Sequence, residues 1–145
     1  SLLSELLTYL AEQAPWIELK ADLSYETRKS LWLAIGVSGT AALENMLLGI
    51  PMIIMYKLSF LTFWIAKKLI RVPFVGIPNI LAGRSVVPEL LQDQATAVNL
   101  AQTARPFLKD RLKREEMRKV LLGLRSTLQE GGSTKAAEEI LDMIA

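Results

Sequence analysis

The sequence contains no cysteine and no histidine among its 145 residues. Without cysteine there are no disulfides, no thiolate nucleophile and no cysteine metal site, so the composition indicates no particular redox compartment. Without histidine there is no Ser-His-Asp triad, and the commonest protein metal ligand is missing. Any general base within this chain must therefore be Asp, Glu, Lys or Tyr.

The chain also has little excess charge of either sign. Its formal net charge is +2, which is too small to indicate a nucleic-acid partner. The hydrophobic fraction is 51% and the mean hydropathy is +0.29, both high for a freely soluble domain of this size, so we expect apolar surface to meet a partner or a membrane. The length suits one domain, which we divide into an α/β core at 1–108 and a helical tail at 109–145.

Residues 32–56 read as a strand, a tight turn, a helix and a second strand. The two strands, at 32–37 and 52–55, are continuous apolar runs, which is typical of parallel strands covered by helices on two faces. Helical patterns precede and follow this unit. The predicted fold class is therefore α/β, with a partial Rossmann-like parallel sheet, helices on both faces and a helical C-terminal tail.

The turn of this unit is a candidate anion site. Ser38, Gly39 and Thr40 stand where the predicted helix begins, and a helix N-terminus offers unpaired N–H groups and partial positive charge. Glu44, one turn into the helix, is placed to accept hydrogen bonds from a pair of sugar hydroxyls. From pattern alone, Ser38 or Thr40 as a simple N-cap and Glu44 as a solvated carboxylate are the plainer interpretation.

An apolar segment follows at 58–72, ending in basic residues. Part of it belongs to a longer apolar region at 50–66, where Pro51 at the start and Lys57 in the middle argue against one continuous membrane-spanning helix. Two alternatives stay open: the aromatic side chains form a core or an oligomer interface, or the segment lies flat on an anionic membrane surface. The residues assigned to that lipid contact are Phe60, Phe63, Trp64, Lys67, Lys68 and Arg71.

The stretch at 73–88 is rich in Pro and Gly and reads as a loop, followed by a short turn at 89–91. Asn79 can donate and accept hydrogen bonds there, and Arg84 can bind a phosphate, although a turn Asn and a surface Arg are the plainer interpretation. Helices are predicted at 96–108, with Thr96 as N-cap and an end near Pro106, at 110–129 and at 133–144. The basic residues after position 110 indicate a solvated helix face and no nucleic-acid site.

Taken together, the motifs SGTAALE (38–44), TFWIAKKL (62–69), PNILAGR (78–84) and VPELLQ (87–92) resemble the carboxyl-terminal half of the lipid-A-disaccharide synthases. That family consists of inverting glycosyltransferases with the B-type double-Rossmann fold. The resemblance implies that Ser38, Gly39 and Thr40 bind the diphosphate of UDP and that Glu44 binds its ribose. It implies that Asn79 and Arg84 contact the diphosphate or donor sugar and stabilise the leaving group without a metal or other cofactor.

The resemblance also implies the partners. The substrates are UDP-diacylglucosamine and a lipid monosaccharide phosphate, and the enzyme acts as a peripheral protein at the cytoplasmic face of the bacterial inner membrane. The amino-terminal half, which would hold the catalytic base, is not in this sequence, so we expect this chain alone to be inactive and to need that half as a partner. A homodimer is a further expectation. The alternative function is a non-catalytic, membrane-associated or oligomerising module with a vestigial nucleotide site.

Overall fold

The computed structural model describes residues 24–57 and 73–128. In chain order these form α1 (Tyr25–Lys29), β1 (Ala34–Gly36), α2 (Thr40–Leu48), β2 (Met52–Tyr56), α3 (Ile77–Ala82), β3 (Glu89–Leu91), a 3₁₀ turn (Gln92–Gln94), α4 (Ala97–Lys109) and α5 (Arg111–Arg125). The last predicted helix, at 133–144, and the apolar segment 58–72 lie outside the described residues, and so do all six residues assigned to lipid contact.

The three described strands form one parallel sheet in the order β1-β2-β3. Ala34 lies opposite Met52, and Ile54 lies opposite Glu89. Each strand is followed by helix or turn, as parallel connections require. The predicted α/β class and the partial Rossmann-like parallel sheet are confirmed.

Helices pack against both faces of the sheet at its central strand, β2. Met52 and Ile54 join a core cluster with residues of α2 and α5, including Met46 and Leu121. Ile53, between them in sequence, points the other way and packs with a second cluster that includes Ala104 of α4. Because side chains alternate along a strand, an all-apolar strand must be packed against other residues on both faces of the sheet. The two clusters provide this packing for β2.

The edge strand β1 differs from its prediction. It is shorter than the predicted 32–37, and Ile35 and Val37 are 51% and 61% exposed. Among the described residues β1 pairs with β2 alone, so it stands at the edge of the described sheet, where its apolar side chains are less covered. The continuous apolar run therefore predicted the strand correctly, but the prediction that this strand is buried was wrong.

The predicted loop at 73–88 contains α3, and the predicted turn at 89–91 is the strand β3. Both elements are too short for a periodic pattern to reveal them. The helix has six residues, begins after Gly76 and carries Pro at its start, and β3 has only three residues. Their stability depends on side-chain hydrogen bonds from elsewhere in the fold, described below.

The helical region after residue 96 follows the prediction more closely. The Thr96 side chain caps α4 by accepting a hydrogen bond from the Asn99 N–H. Pro106 lies inside α4, which continues to Lys109 and does not end near the proline. Met117 and Leu121 of α5 are buried in the same core as the sheet, so this part of the predicted tail packs directly on the α/β core. No described helix is both long enough and apolar enough to cross a bilayer.

Candidate nucleotide site

The N-terminus of α2 lies just past the carboxyl end of β1 and carries no side-chain cap. Its N-cap residue is Gly39, and no acidic residue lies in its first turn. By contrast α1, α4 and α5 are capped by the side chains of Ser24, Thr96 and Asp110. The N–H groups of Thr40 and Ala41 have no acceptor among the described residues, whereas the Ala42 N–H donates to the Gly39 carbonyl at 3.0 Å. The alternative that Ser38 or Thr40 serves as the N-cap is therefore not what the structure contains.

Space in front of this turn is open. A Cβ placed on Gly39 would meet no atom within 4 Å, and Thr40 is exposed. The helix dipole adds partial positive charge at this point, and ligands of open α/β sheets bind at the carboxyl edge of the strands. The turn can therefore hold an anion without a positively charged side chain.

The Ser38 hydroxyl is used to join the turn to the loop before α3. Its Oγ donates a hydrogen bond to the Val75 carbonyl oxygen at 2.8 Å. The two segments are 37 residues apart in sequence, so this contact brings the Ser-Gly-Thr motif next to the loop that leads into PNILAGR. The proximity of the two motifs, which their sequence order could not establish, is visible here.

Glu44 lies on α2 and forms an ion pair with Arg28 of α1. Arg28 Nη1 donates to Glu44 Oε2 at 2.5 Å, and Nη2 donates to Asn45 Oδ1 at 2.8 Å. Within the part of the chain that the structure describes, the second carboxylate oxygen, Oε1, accepts no hydrogen bond. Arg28 thus fixes the orientation of Glu44 and leaves one oxygen for another donor. Sequence reasoning missed Arg28, since no pattern links two residues 16 positions apart.

Glu44 also lines an open groove between α1, α2 and α5. The groove has a volume of about 720 Å³, and its walls include Tyr25, Leu47 and Arg118. It offers aromatic, aliphatic and charged surface beside the carboxylate. When a ligand hydroxyl donates a hydrogen bond to Glu44, a neighbouring group of that ligand can lie against this surface.

Asn79 is completely buried, and its side-chain amide is fully hydrogen-bonded. Nδ2 donates to the Val87 carbonyl at 2.9 Å and to Glu89 Oε1 at 2.7 Å. Oδ1 accepts from the N–H groups of Val86 at 2.7 Å and Val87 at 2.9 Å. In this conformation Asn79 holds its loop together, and its predicted contact with a diphosphate or donor sugar stays a prediction.

Glu89, at the start of β3, was missed by sequence reasoning. Its carboxylate accepts hydrogen bonds from the N–H of Val75 at 3.0 Å, the N–H of Gly76 at 2.9 Å and the amide of Asn79. The one signal in the sequence is an acidic residue within the otherwise apolar run VVPELL. Such a residue in a short strand needs donors, and the loop before α3 supplies them.

Arg84 is not brought to the Ser-Gly-Thr turn. It is exposed, follows the C-terminal end of α3 and lines a separate groove of about 310 Å³ with Lys113 and Glu116 of α5. Its predicted phosphate contact stays a prediction.

At the carboxyl end of β3, Gln92 has a positive φ of 51°, the one such non-glycine among the described residues. Strained backbone of this kind concentrates at functional sites.

Comparison with known proteins agrees with this geometry. A family model described as lipid-A-disaccharide synthetase matches residues 4–144. The chain is 38% identical over 142 residues to the lipid-A-disaccharide synthase of Geobacter metallireducens, covering 97% of this chain and 37% of that protein. It is 46% identical over 106 residues to that of Chromobacterium violaceum, covering 73% of this chain and 28% of that protein. The enzyme of Pseudomonas putida strain GB-1 is 44% identical over 107 residues, again 28% of its length.

The chain therefore spans 28–37% of the length of these three relatives. The match covers nearly the whole of this chain, and it includes the open turn, Glu44 and the Asn79 loop. The chain belongs to the lipid-A-disaccharide synthetase family.

Proposed function

We propose that this chain is the nucleotide-sugar-binding half of a lipid-A-disaccharide synthase. It binds UDP-diacylglucosamine. In the assembled enzyme the diacylglucosaminyl group is transferred with inversion to a hydroxyl of a lipid monosaccharide phosphate, UDP leaves, and a base of the amino-terminal half takes the hydroxyl proton. The observation that carries the proposal is the uncapped N-terminus of α2 at the carboxyl edge of the sheet. The family membership indicates which anion that turn receives, the diphosphate of UDP.

Each part of the turn has a role in this proposal. The N–H groups of Gly39 and Thr40 and the dipole of α2 stabilise the diphosphate, and they stabilise the negative charge that grows on it as the sugar leaves. This stabilisation uses no metal. Ser38 positions the turn through Val75, and Glu44 accepts hydrogen bonds from the ribose with its open carboxylate oxygen. Asn79 supports the donor side by holding its loop, and a contact of Arg84 with the diphosphate requires an arrangement different from the one described.

Calorimetric titration with UDP tests the binding role. Glu44→Ala should weaken UDP binding at least about tenfold, because the ribose loses a charged acceptor worth about 1.5–3 kcal/mol. Glu115→Ala is the matched control, since Glu115 is an exposed carboxylate on α5 that does not line the groove of Glu44, and it should leave affinity unchanged. Equal affinities in all three proteins would contradict the assignment of Glu44.

Transfer itself is tested by adding an amino-terminal half in trans. The chain alone should give no disaccharide, and the mixture with the amino-terminal portion of the Geobacter metallireducens relative should give it. If the wild-type chain binds no UDP even in that mixture, the non-catalytic interaction module becomes the better account.

We further propose peripheral attachment to the cytoplasmic face of the inner membrane through the segment 58–72. Its aromatic and basic composition supports this, because such side chains suit the interface of an anionic leaflet. Vesicle flotation should show the chain bound to anionic vesicles and released by the double substitution Phe63→Ser and Trp64→Ser. Unchanged flotation of that variant would remove the idea.

A further inference from the structure

We propose that Glu89 is a positioning residue for the nucleotide turn, acting through the Val75 carbonyl and the Ser38 hydroxyl. The inference rests on the proposed function, because it concerns how the UDP site is held in shape. Glu89 does not itself touch the ligand. It fixes the loop against which the Ser-Gly-Thr turn is tied.

The first step is the grip of Glu89 on the loop. One carboxylate accepts hydrogen bonds from two consecutive main-chain N–H groups, those of Val75 and Gly76, and from the buried amide of Asn79. Charge-assisted hydrogen bonds of this kind are short and strong. The four bonds of the Asn79 amide tie the same carboxylate to the far end of the loop at Val86 and Val87. Both ends of the loop are thus held by one connected set of hydrogen bonds.

The second step is that the loop has no room to shift inward. A Cβ on Gly76 would lie 2.3 Å from Cδ1 of Ile54 in the central strand and 2.9 Å from Glu89 Oε1. The main chain at this point therefore lies directly on β2. The sheet lies behind this loop, and Glu89 binds the N–H groups of Val75 and Gly76. These contacts fix the direction of the Val75 carbonyl, which accepts the hydrogen bond of Ser38.

The third step concerns the Ser38 hydroxyl. A serine just before a helix readily folds its side chain over the first N–H groups of that helix. Here the hydroxyl is held on Val75, and the first turn of α2 is left without a side-chain cap. Glu89 thereby keeps the phosphate-binding N–H groups of α2 clear of an internal competitor. The Glu89 carboxylate also occupies the N-terminus of α3, where it accepts hydrogen bonds from the N–H groups of Val75 and Gly76. Of the two helices, α2 is therefore the one whose N-terminus is open.

The test is a double-mutant cycle on UDP affinity, measured by NMR titration of the full chain. Glu89→Gln removes the charge and places an NH₂ group against donors, and it should weaken UDP binding about threefold to tenfold, the worth of one lost hydrogen bond. Ser38→Ala cuts the same link further along, but it also removes the competing hydroxyl, so it should weaken binding by no more than Glu89→Gln does. Because both substitutions act through one link, the double variant should bind UDP with an affinity no lower than that of the weaker-binding single variant. Glu115→Gln is the control, because Glu115 is an exposed carboxylate on α5 outside the grooves of Glu44 and Arg84, and this variant should bind UDP as wild type does.

A merely structural role for Glu89 predicts losses that multiply in the double variant, and that result would overturn the inference. So would wild-type affinity in a folded Glu89→Gln. If Glu89→Gln does not fold, Ser38→Ala still decides: UDP should shift the amide signals of Val75 and Gly76 in the wild type and no longer do so in Ser38→Ala, and shifts that persist would sink the proposal. Absence of any UDP binding by the wild type would instead refute the proposed function.

Discussion

Asn79→Ala should destabilise the fold strongly, although Asn79 stands in a region that reads as a loop. The wild-type side chain is completely buried and makes four hydrogen bonds. Truncation leaves the N–H and the C=O of Val87 unpaired, and Val87 is only 1% exposed, so water cannot replace the amide. Each buried unpaired group costs about 1–3 kcal/mol, so we expect a loss of about 2–5 kcal/mol in the free energy of unfolding.

Urea unfolding followed by circular dichroism measures this loss, and Asn99→Ala is the matched control. The Asn99 amide makes one exposed hydrogen bond, to the Gln94 carbonyl at 3.0 Å, so its removal should cost less than about 1 kcal/mol. Asn79→Asp should be at least as harmful as Asn79→Ala, because a second carboxylate oxygen would face Glu89 Oε1 and the Val87 carbonyl without a donor between them. Equal stability of Asn79→Ala and Asn99→Ala would refute the reasoning.

Two glycines and one arginine give further predictions. Gly49 and Gly83 both end helices with φ near +65°, but a Cβ on Gly49 would lie 2.8 Å from Leu122 Cγ whereas a Cβ on Gly83 meets nothing within 4 Å. In urea unfolding, Gly83→Ala should cost about 1 kcal/mol and Gly49→Ala about 2–4 kcal/mol, and equal costs would argue against the contact with Leu122. Arg28→Met should change stability by less than about 1 kcal/mol, since the pair with Glu44 is partly exposed. It should weaken UDP binding severalfold in calorimetry, because Glu44 loses its orientation, and unaltered affinity would separate Arg28 from the site.

Much of the fold could be predicted because its main elements carry local signals. The strand-turn-helix-strand unit and the Thr96 cap of α4 follow from apolar runs and from the chemistry of helix ends. The elements that the sequence did not reveal, α3 and β3, are short and hold each other, because Glu89 of β3 binds the Gly76 N–H before α3 and the amide of Asn79 in α3. A local pattern cannot show a stabilisation that arises only in the tertiary structure.

The candidate site shows the same division. Residue type and spacing identified the open turn and singled out Glu44 and Asn79, but they could not show where the side chains point. Asn79 faces the interior, and Glu44 already has a partner in Arg28. The two residues that arrange the site, Arg28 and Glu89, carry no motif, because their roles depend on neighbours distant in sequence.

The central claim is that the uncapped N-terminus of α2 binds the diphosphate of a UDP-sugar. An NMR titration of the isotope-labelled chain with UDP tests it most directly, since it locates even millimolar binding residue by residue. The account predicts that the largest amide shifts occur at Gly39 and Thr40, that Glu44 and its neighbours follow, and that uridine without phosphates leaves the turn unmoved. Saturating UDP that shifts only residues remote from this turn, or no residue at all, would contradict it.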